Sequence, residues 1–450
     1  LANPYGHLIG CKNSVANAQL NSDTTIDLNR IPIQVLLNRV VLCPLLAYFR
    51  EVDRAVCNHF LYELHLMDHF HCLRQLYFLE HGEFSQSLLD ELFAKADGPL
   101  SRRSDVYNSG FLRDLMQSVL RKFTRQVHNK SSDSDEDFTL NHMWEDHSRT
   151  CFSIVCPIDF LAVSGTNVDE DSVVDPRRAP AFDHLSVRYL APWPINIILH
   201  QTVLRKYNRV FCQLVRVRFA IWSLNSCYHQ LRGRRVLGST PNDPRRPALP
   251  VGQSDFQFHQ TSVWLHEMNQ VVRGIETYLV NQAVKASWSK FVKRLTGSNP
   301  ENFELSSQNT VVTNLDQLIQ VHEAYVEEVV RGCLLDPSNE EIQQVICGLL
   351  SCVHWFYKVL STSSWLDRAS PTTGQLNQVG WTQLQAAHAS FVQHARFLRR
   401  RAGRMLSTSR ADSNQSCLSQ LILALGINDF YVHTTQMSNL KSIETSCLSG

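Results

Sequence analysis

From Leu204 onward, apolar residues return every three or four positions, in one case for about eight turns at a stretch. Leu204, Tyr207, Phe211, Leu214, Val217, Ile221 and Leu224 make the longest such stripe. The same spacing recurs in Leu265/Met268/Val272/Ile275/Leu279, Leu315/Leu318/His322/Tyr325/Val329, Ile342/Val345/Leu349/Cys352/Phe356/Leu360 and Phe391/Ala395/Leu398/Ala402/Met405. A stripe with a 3.6-residue period is the mark of a helix with one buried face, and a helix that long hides its face only against other helices. The fold class is therefore all-α: packed bundles of long antiparallel helices with at most one small two-stranded β element. That element is expected from the β-branched run Cys151–Val163 and from the alternation of Leu185, Val187 and Tyr189 within His184–Ala191, paired antiparallel.

Upstream, His59–Lys95 reads as one long helix, an interruption marked by Gly82, and a second helix to about Lys95. Residues 1–30 form a polar lead-in, and Ile31–Leu46 is an apolar run. A further helix is expected from about Ser109 to Arg125. Pro194 is placed in the first turn of the Leu204 helix, where its missing N–H costs nothing. Ser338 and Glu341 have the spacing of a capping box for the next-to-last long helix. Trp193, between two prolines, is expected to be a packed corner. Loops are assigned to 126–184, which holds the acidic run Ser131–Asp137, and to the Pro/Arg-rich stretch 232–253. No repeat of fixed length is visible, which weighs against a solenoid.

With 43 Lys+Arg against 42 Asp+Glu, the net charge is +1, which argues against a nucleic-acid binder driven by bulk electrostatics. The 13 cysteines are odd in number, irregularly spaced and without a CxxC pair, so they read as thiols in a reducing compartment. No secretory signal is seen and no uninterrupted apolar run reaches the roughly 18 residues of a spanning helix. The expectation is an intracellular chain with no membrane partner, and one that reads as a fragment because it begins at Leu1.

His65, His69 and Cys72 stand at i, i+4 and i+7, one face of a continuous helix, and would suit a borderline-soft metal. The run is HLMDH rather than HExxH and a fourth ligand is missing, so these side chains are assigned to a polar stripe or a helix seam. GxxxxGK[ST], GxGxxG after a strand, and GxSxG are all absent. The reading is no enzyme, no cofactor and no metal. The arginines of the 232–253 stretch and Arg399–Arg401 are solvated faces or contacts for an acidic partner; no aromatics interleave them, so single-stranded nucleic acid is a poor fit.

HFHCLRQLYFLEHGEFSQSLLDELF resembles the helix–GEF–helix of the gamma-tubulin complex components, and the likeness continues in order. LSVRYLAPWPINIIL with VLRKYNRVFCQLVRVRFAIWSL is similar to that family's Trp-Pro segment and Lys-Tyr-x-x-x-Phe helix. WLHEMNQVVRGIETYLVNQAVKASWSKFVKRL, LDQLIQVHEAYVEEVVRGCLL and SQLILALGINDFY resemble its later helices, so that the likeness covers residues 35–432. Each segment alone is weak, but five in series are specific. GEFSQSLLDELF and the VNQ-x-x-x-x-x-W spacing look most like component six, with component five next.

The resemblance implies an all-helical, gamma-tubulin-binding C-terminal (GRIP2) domain at residues 59–432. Residues 1–58 would be the end of a preceding GRIP1-like half, and 433–450 a polar tail. It implies a structural, non-catalytic component of a gamma-tubulin ring complex that templates microtubule nucleation, located in the cytoplasm and cytoskeleton at a microtubule-organizing center such as a centrosome or spindle pole. Its partners would be gamma-tubulin and, laterally, other complex components. The contact residues placed on this surface are Glu80, Gly82 and Glu83 at the break, with Arg396, Arg400 and Arg404. A helical scaffold or adaptor with other partners would share the fold without the gamma-tubulin affinity.

Overall fold

Between the prolines and glycines run stretches rich in leucine, arginine, glutamine and alanine, the residues that give up least in a helix, and there the backbone coils. The structure, a computed structural model, describes residues 33–97, 110–119, 152–155, 185–238, 251–296, 312–362, 378–408, 419 and 421–423. The lead-in 1–30, the acidic run Ser131–Asp137 and the polar tail lie outside these residues. The chain divides into two compact units, Leu1–Val56 and Cys57–Gly450.

In the first unit, α1 (Ile33–Leu37) passes through a π-helical turn at Asn38–Leu42 into α2 (Cys43–Asn58), which crosses the limit between the units. The apolar run is helical, yet Ile33, Leu37, Val40, Val41, Leu45, Tyr48 and Phe49 are all exposed.

The second unit opens with a π-helical turn, His59–Glu63, and then the chain breaks. His65 takes a left-handed conformation (φ 50°) and α3 starts only at Leu66, running to Tyr77. The expected single helix from His59 is therefore interrupted six residues in, at a position where a non-glycine side chain costs about 1–2 kcal/mol of backbone energy. After the second break comes α4 (Gly82–Asp97), and residues 110–119 are helical. Strands β1 (Phe152–Val155) and β2 (Ser186–Tyr189) pair antiparallel, with Ile154 opposite Val187, as the alternation predicted.

Among the described residues six long helices follow: α5 (Gln201–Gly238), α6 (Val251–Tyr278), α7 (Ala286–Thr296), α8 (Leu315–Gly332), α9 (Glu340–Thr362) and α10 (Gln378–Thr408). Pro194 does not open α5. It precedes a short 3₁₀ turn, Ile195–Ile197, and α5 begins at Gln201. At its other end α5 continues through Arg232–Gly238, because no proline stops it before Pro241; the linker expected from Arg232 shortens accordingly. A π-helical segment, Leu279–Lys285, joins α6 to α7. There Ala283 lies so close to Gly332 that a Cβ on the glycine would meet it at 3.0 Å, and the Tyr278 hydroxyl donates to the Gly332 carbonyl at 2.7 Å.

Packing divides along α5. Its first half carries α3, α8 and β2, with α7 packed on α8. Its second half joins α6, α9 and α10 in a four-helix bundle. Within that bundle Phe219 meets His354 and Trp222 meets Tyr357, so α5 and α9 run parallel. Arg401 pairs with Glu341 and His394 approaches Cys352, so α9 and α10 run antiparallel. Phe93 of α4 packs on Phe219 and Trp222. The segment Leu315–Thr362 contains a window of mean hydropathy 1.4, long and apolar enough by length and composition to cross a membrane; 56% of it is buried inside the protein, along the core faces of α8 and α9. Fully buried aromatics such as Phe211, Phe291, Phe356 and Phe391 each contribute about 2–3 kcal/mol of transfer free energy.

Asn208 of α5 clamps the strand pair. Val187 faces away from β1 in its hydrogen bonding: its N–H donates to Asn208 Oδ1 at 2.7 Å, and its C=O accepts from Asn208 Nδ2 at 3.0 Å. The carboxamide thus replaces a third strand and satisfies the open edge. Tyr77 adds a 2.8 Å bond from its hydroxyl to the same carbonyl, and the Cys212 thiol bonds the Leu185 carbonyl. Asn208→Leu should leave the Val187 N–H without a partner and lower the unfolding free energy by about 3 kcal/mol in denaturant melts. A loss of less than about 0.5 kcal/mol would show that the clamp is dispensable.

Candidate partner-binding surface

The break between α3 and α4 is held by its neighbours. Leu79 adopts φ 55° while its side chain stays buried, and Phe78 stacks on Tyr207 at 5.2 Å. Glu80 accepts a hydrogen bond from Arg74 Nε, and the Arg74 guanidinium lies 4.6 Å over the Trp288 ring. His81 caps α4, its Nδ1 accepting from the Phe84 N–H at 3.2 Å, and the Ser85 hydroxyl returns a bond to the Leu79 carbonyl. Sequence reasoning missed this cap, because histidine is not among the usual capping residues.

These contacts define where the break residues stand. The Glu80 side chain is only 10% exposed and is turned into the fold, where it holds the turn against α3. Gly82 and Glu83 are exposed in the first turn of α4. Gly82 does not take a positive φ, so the left-handed residue that makes the interruption is Leu79. The basic residues sit elsewhere, on α10 beside the start of α9. Arg396 is half-buried with its Nε enclosed and unpartnered, while Arg400 and Arg404 are exposed. Different elements hold the two groups.

The break rests on an aromatic hub. Tyr207 of α5 is hydrogen-bonded to His322 Nε2 of α8 at 3.1 Å, and His322 stacks on Phe70 of α3 at 4.4 Å with ring planes 14° apart. Phe291 and Trp288 of α7 pack on Tyr325 of α8. Burial drives the His322 pKa down to about 3, with the His200 charge adding to the effect, so the ring is neutral. His71, edge-on to Trp288, is lowered to about 4 by burial and by Arg74.

His65, His69 and Cys72 do not share a helical face. His65 precedes α3 and faces Asp68 at 3.4 Å, His69 is buried and bonds the Tyr189 hydroxyl, and Cys72 is buried. Among the described residues no group of three or more His, Cys, Asp or Glu side chains is arranged to hold a metal ion.

Two further expectations change. Ser338 and Glu341 do not form a capping box: Pro337–Asn339 is a 3₁₀ turn, the Asp336 cap makes no side-chain bond, and Glu341 reaches Arg401 instead at 2.6 Å. Trp193 is 81% exposed rather than packed, with Leu190 and Ile197 also exposed around it.

A model of the family described as gamma tubulin complex component C-terminal matches residues 66–431, which begin at the first residue of α3. The chain belongs to this family. Gamma-tubulin complex component 6 of Mus musculus is 24% identical over 403 residues, covering 89% of this chain and 19% of the relative. Its Homo sapiens counterpart is 23% identical over 412 residues, 91% of this chain and 19% of the relative. Gamma-tubulin complex component 5 of Mus musculus is 22% identical over 206 residues, 44% of this chain. The chain spans about a fifth of the length of the component 6 relatives, at 19% of each.

The hub makes stability depend on acid in a calculable direction. Above the ordinary histidine pKa near 6.5, folded and unfolded chains both hold residue 322 neutral. Below it the unfolded chain takes a proton that the folded chain refuses until about pH 3, so stability falls as the pH drops through that window. The contribution is about 1.4 kcal/mol per pH unit. His322→Phe should flatten the slope of unfolding free energy between about pH 6 and pH 4 by that amount, although it costs stability at neutral pH by stripping Tyr207 of its partner. Equal slopes in the two proteins would contradict the assignment.

Proposed function

We propose that this chain binds gamma-tubulin and serves as a structural component of a gamma-tubulin ring complex that templates microtubule nucleation. The observation that carries the reading is the family match over residues 66–431, which spans the helical unit from α3 onward. Its work is to hold and place a partner rather than to transform one, in the cytoplasm and cytoskeleton at a microtubule-organizing center. Other complex components are its lateral partners.

In this reading residues 59–432 are the gamma-tubulin-binding domain, with 126–184 and the linker before α6 as inserts. Residues 1–58 are the end of a GRIP1-like half, to which the exposed apolar side of α1 and α2 is suited. The contact is a broad surface in which several side chains share the energy. Gly82 and Glu83 meet the partner at the start of α4, Glu80 fixes the turn that presents them, and Arg396, Arg400 and Arg404 supply a second, basic contact.

Purified chain and purified gamma-tubulin should co-elute and give a saturable binding curve. A folded chain that fails to bind gamma-tubulin rules the reading out and leaves the scaffold alternative. Glu83→Lys should weaken the binding severalfold while lowering the unfolding free energy by no more than about 1 kcal/mol, because the side chain is exposed and its carboxylate supports the first turn of α4. Unchanged affinity would move the contact away from the α4 end.

A further inference from the structure

Among the described residues of the second unit, large apolar side chains are exposed singly along the helices, as at Tyr228 of α5, Phe256 of α6 and Phe397 of α10. Isolated ones are ordinary on a protein surface. One turn differs. Leu190, Trp193 and Ile197 fall within a stretch of eight residues and are 51%, 81% and 46% exposed. The turn that carries them is firmly seated. Ile195, Ile198 and Leu199 are buried beneath it. The Asn196 N–H donates to the Pro192 carbonyl at 3.1 Å, and the Ile197 N–H to the Pro194 carbonyl at 3.1 Å. Upstream, Val187 is clamped to α5 by Asn208. The inner side of the turn thus has its own apolar anchors, and the outer three side chains add nothing to folding. Arg188 of β2 and Arg205, three residues before Asn208 on α5, are also exposed, and neither makes an ion pair with a described residue.

We infer that the Leu190–Trp193–Ile197 turn is the apolar anchor by which this unit holds gamma-tubulin, its indole entering a pocket whose rim turns carboxylates toward Arg188 and Arg205. The anchor stands on the gamma-tubulin reading and deepens it. Exposed charges such as Glu83 and the α10 arginines orient a partner and speed its approach more than they hold it. Holding needs a desolvated centre, and tryptophan is the side chain most often found there. Among the described residues this unit offers no second cluster of that kind. The turn is set before the partner arrives, so little ordering cost is added on binding. The free arginines fix the sign of the rim. They also weigh against a second copy of the chain, because a two-fold contact centred on this turn would bring Arg188 and Arg205 against their own counterparts. A lipid surface is a poorer fit, since one short turn lacks the extended apolar face of an interfacial helix.

The experiment titrates purified gamma-tubulin against the full chain and against Trp193→Ala, Trp193→Phe, Arg188→Glu/Arg205→Glu and the control Phe256→Ser, each with an unchanged helical spectrum. Trp193→Ala should weaken binding roughly tenfold or more, and Trp193→Phe should recover part of the loss. The double charge reversal should weaken it severalfold and flatten its salt dependence. Phe256→Ser should bind like the parent. If the parent binds and Trp193→Ala binds equally well, the anchor is overturned and the gamma-tubulin reading stands. If the parent does not bind at all, the reading falls and the anchor falls with it. A loss in Phe256→Ser equal to that in Trp193→Ala overturns the anchor, because any exposed apolar side chain would then serve. Self-association of the chain, or capture by anionic phospholipid vesicles, that Trp193→Ala abolishes without changing gamma-tubulin affinity gives the turn to another occupant and overturns it as well.

Discussion

The hydrogen bond between Tyr207 and His322 joins the two helices on which everything else in the first half of the domain leans. It is polar and fully enclosed, so it has one geometry that satisfies it, and the rings around it must fit that geometry. Phe70 lies flat on the imidazole, Phe78 flat on the tyrosine, and Tyr77 against both Tyr207 and Phe211. Through these rings α3, the break after it, α5 and α8 acquire a common register. A hub made only of leucines would fill the same volume without fixing the rotation of each helix.

A buried hub of this kind allows the surface above it to be irregular. Leu79 and Leu334 hold left-handed backbone conformations at two helix junctions, and both side chains are buried. Each such conformation is unfavourable by about 1–2 kcal/mol and persists because the surroundings over-determine it. At the first junction Arg74 is the strut: clasped by Glu80 and laid on Trp288, it ties the turn to α7. The residues presented to solvent by that turn are thus placed by chemistry several residues away from them.

What was legible in the sequence follows a physical divide. Periodicity reports burial averaged over many turns, so α5, α8, α9 and α10 were visible from Tyr207, Tyr325, Phe356 and Phe391, and the strand pair from Val187 and Tyr189. Junctions are decided by single tertiary contacts, which periodicity does not carry. Pro194 had the right chemistry for a first helical turn, but the chain makes a 3₁₀ turn first. Ser338 and Glu341 had the right spacing for a cap, but Arg401 on another helix competes for the glutamate. His65, His69 and Cys72 matched one helical face only because nothing local announces that His65 turns left-handed. Gly82 drew attention as a breaker although Leu79 does the breaking. At the surface, the arginines of α10 were evident as a run, while the exposure of Phe397 among them depends on which face α9 covers. Asn208, whose carboxamide completes the sheet, gave no local signal.

Helix α5 touches both halves of the domain, and its 38 residues give it a length of about 57 Å. It is uninterrupted by proline and is gripped by β2 and α8 near its start and by α6 and α9 further along. Mechanically that makes it a lever with two fulcrums. A rod of that length tilted by about 5° moves its far end by about 5 Å, so the two grips on α5 must agree in angle to within a few degrees for both halves to pack.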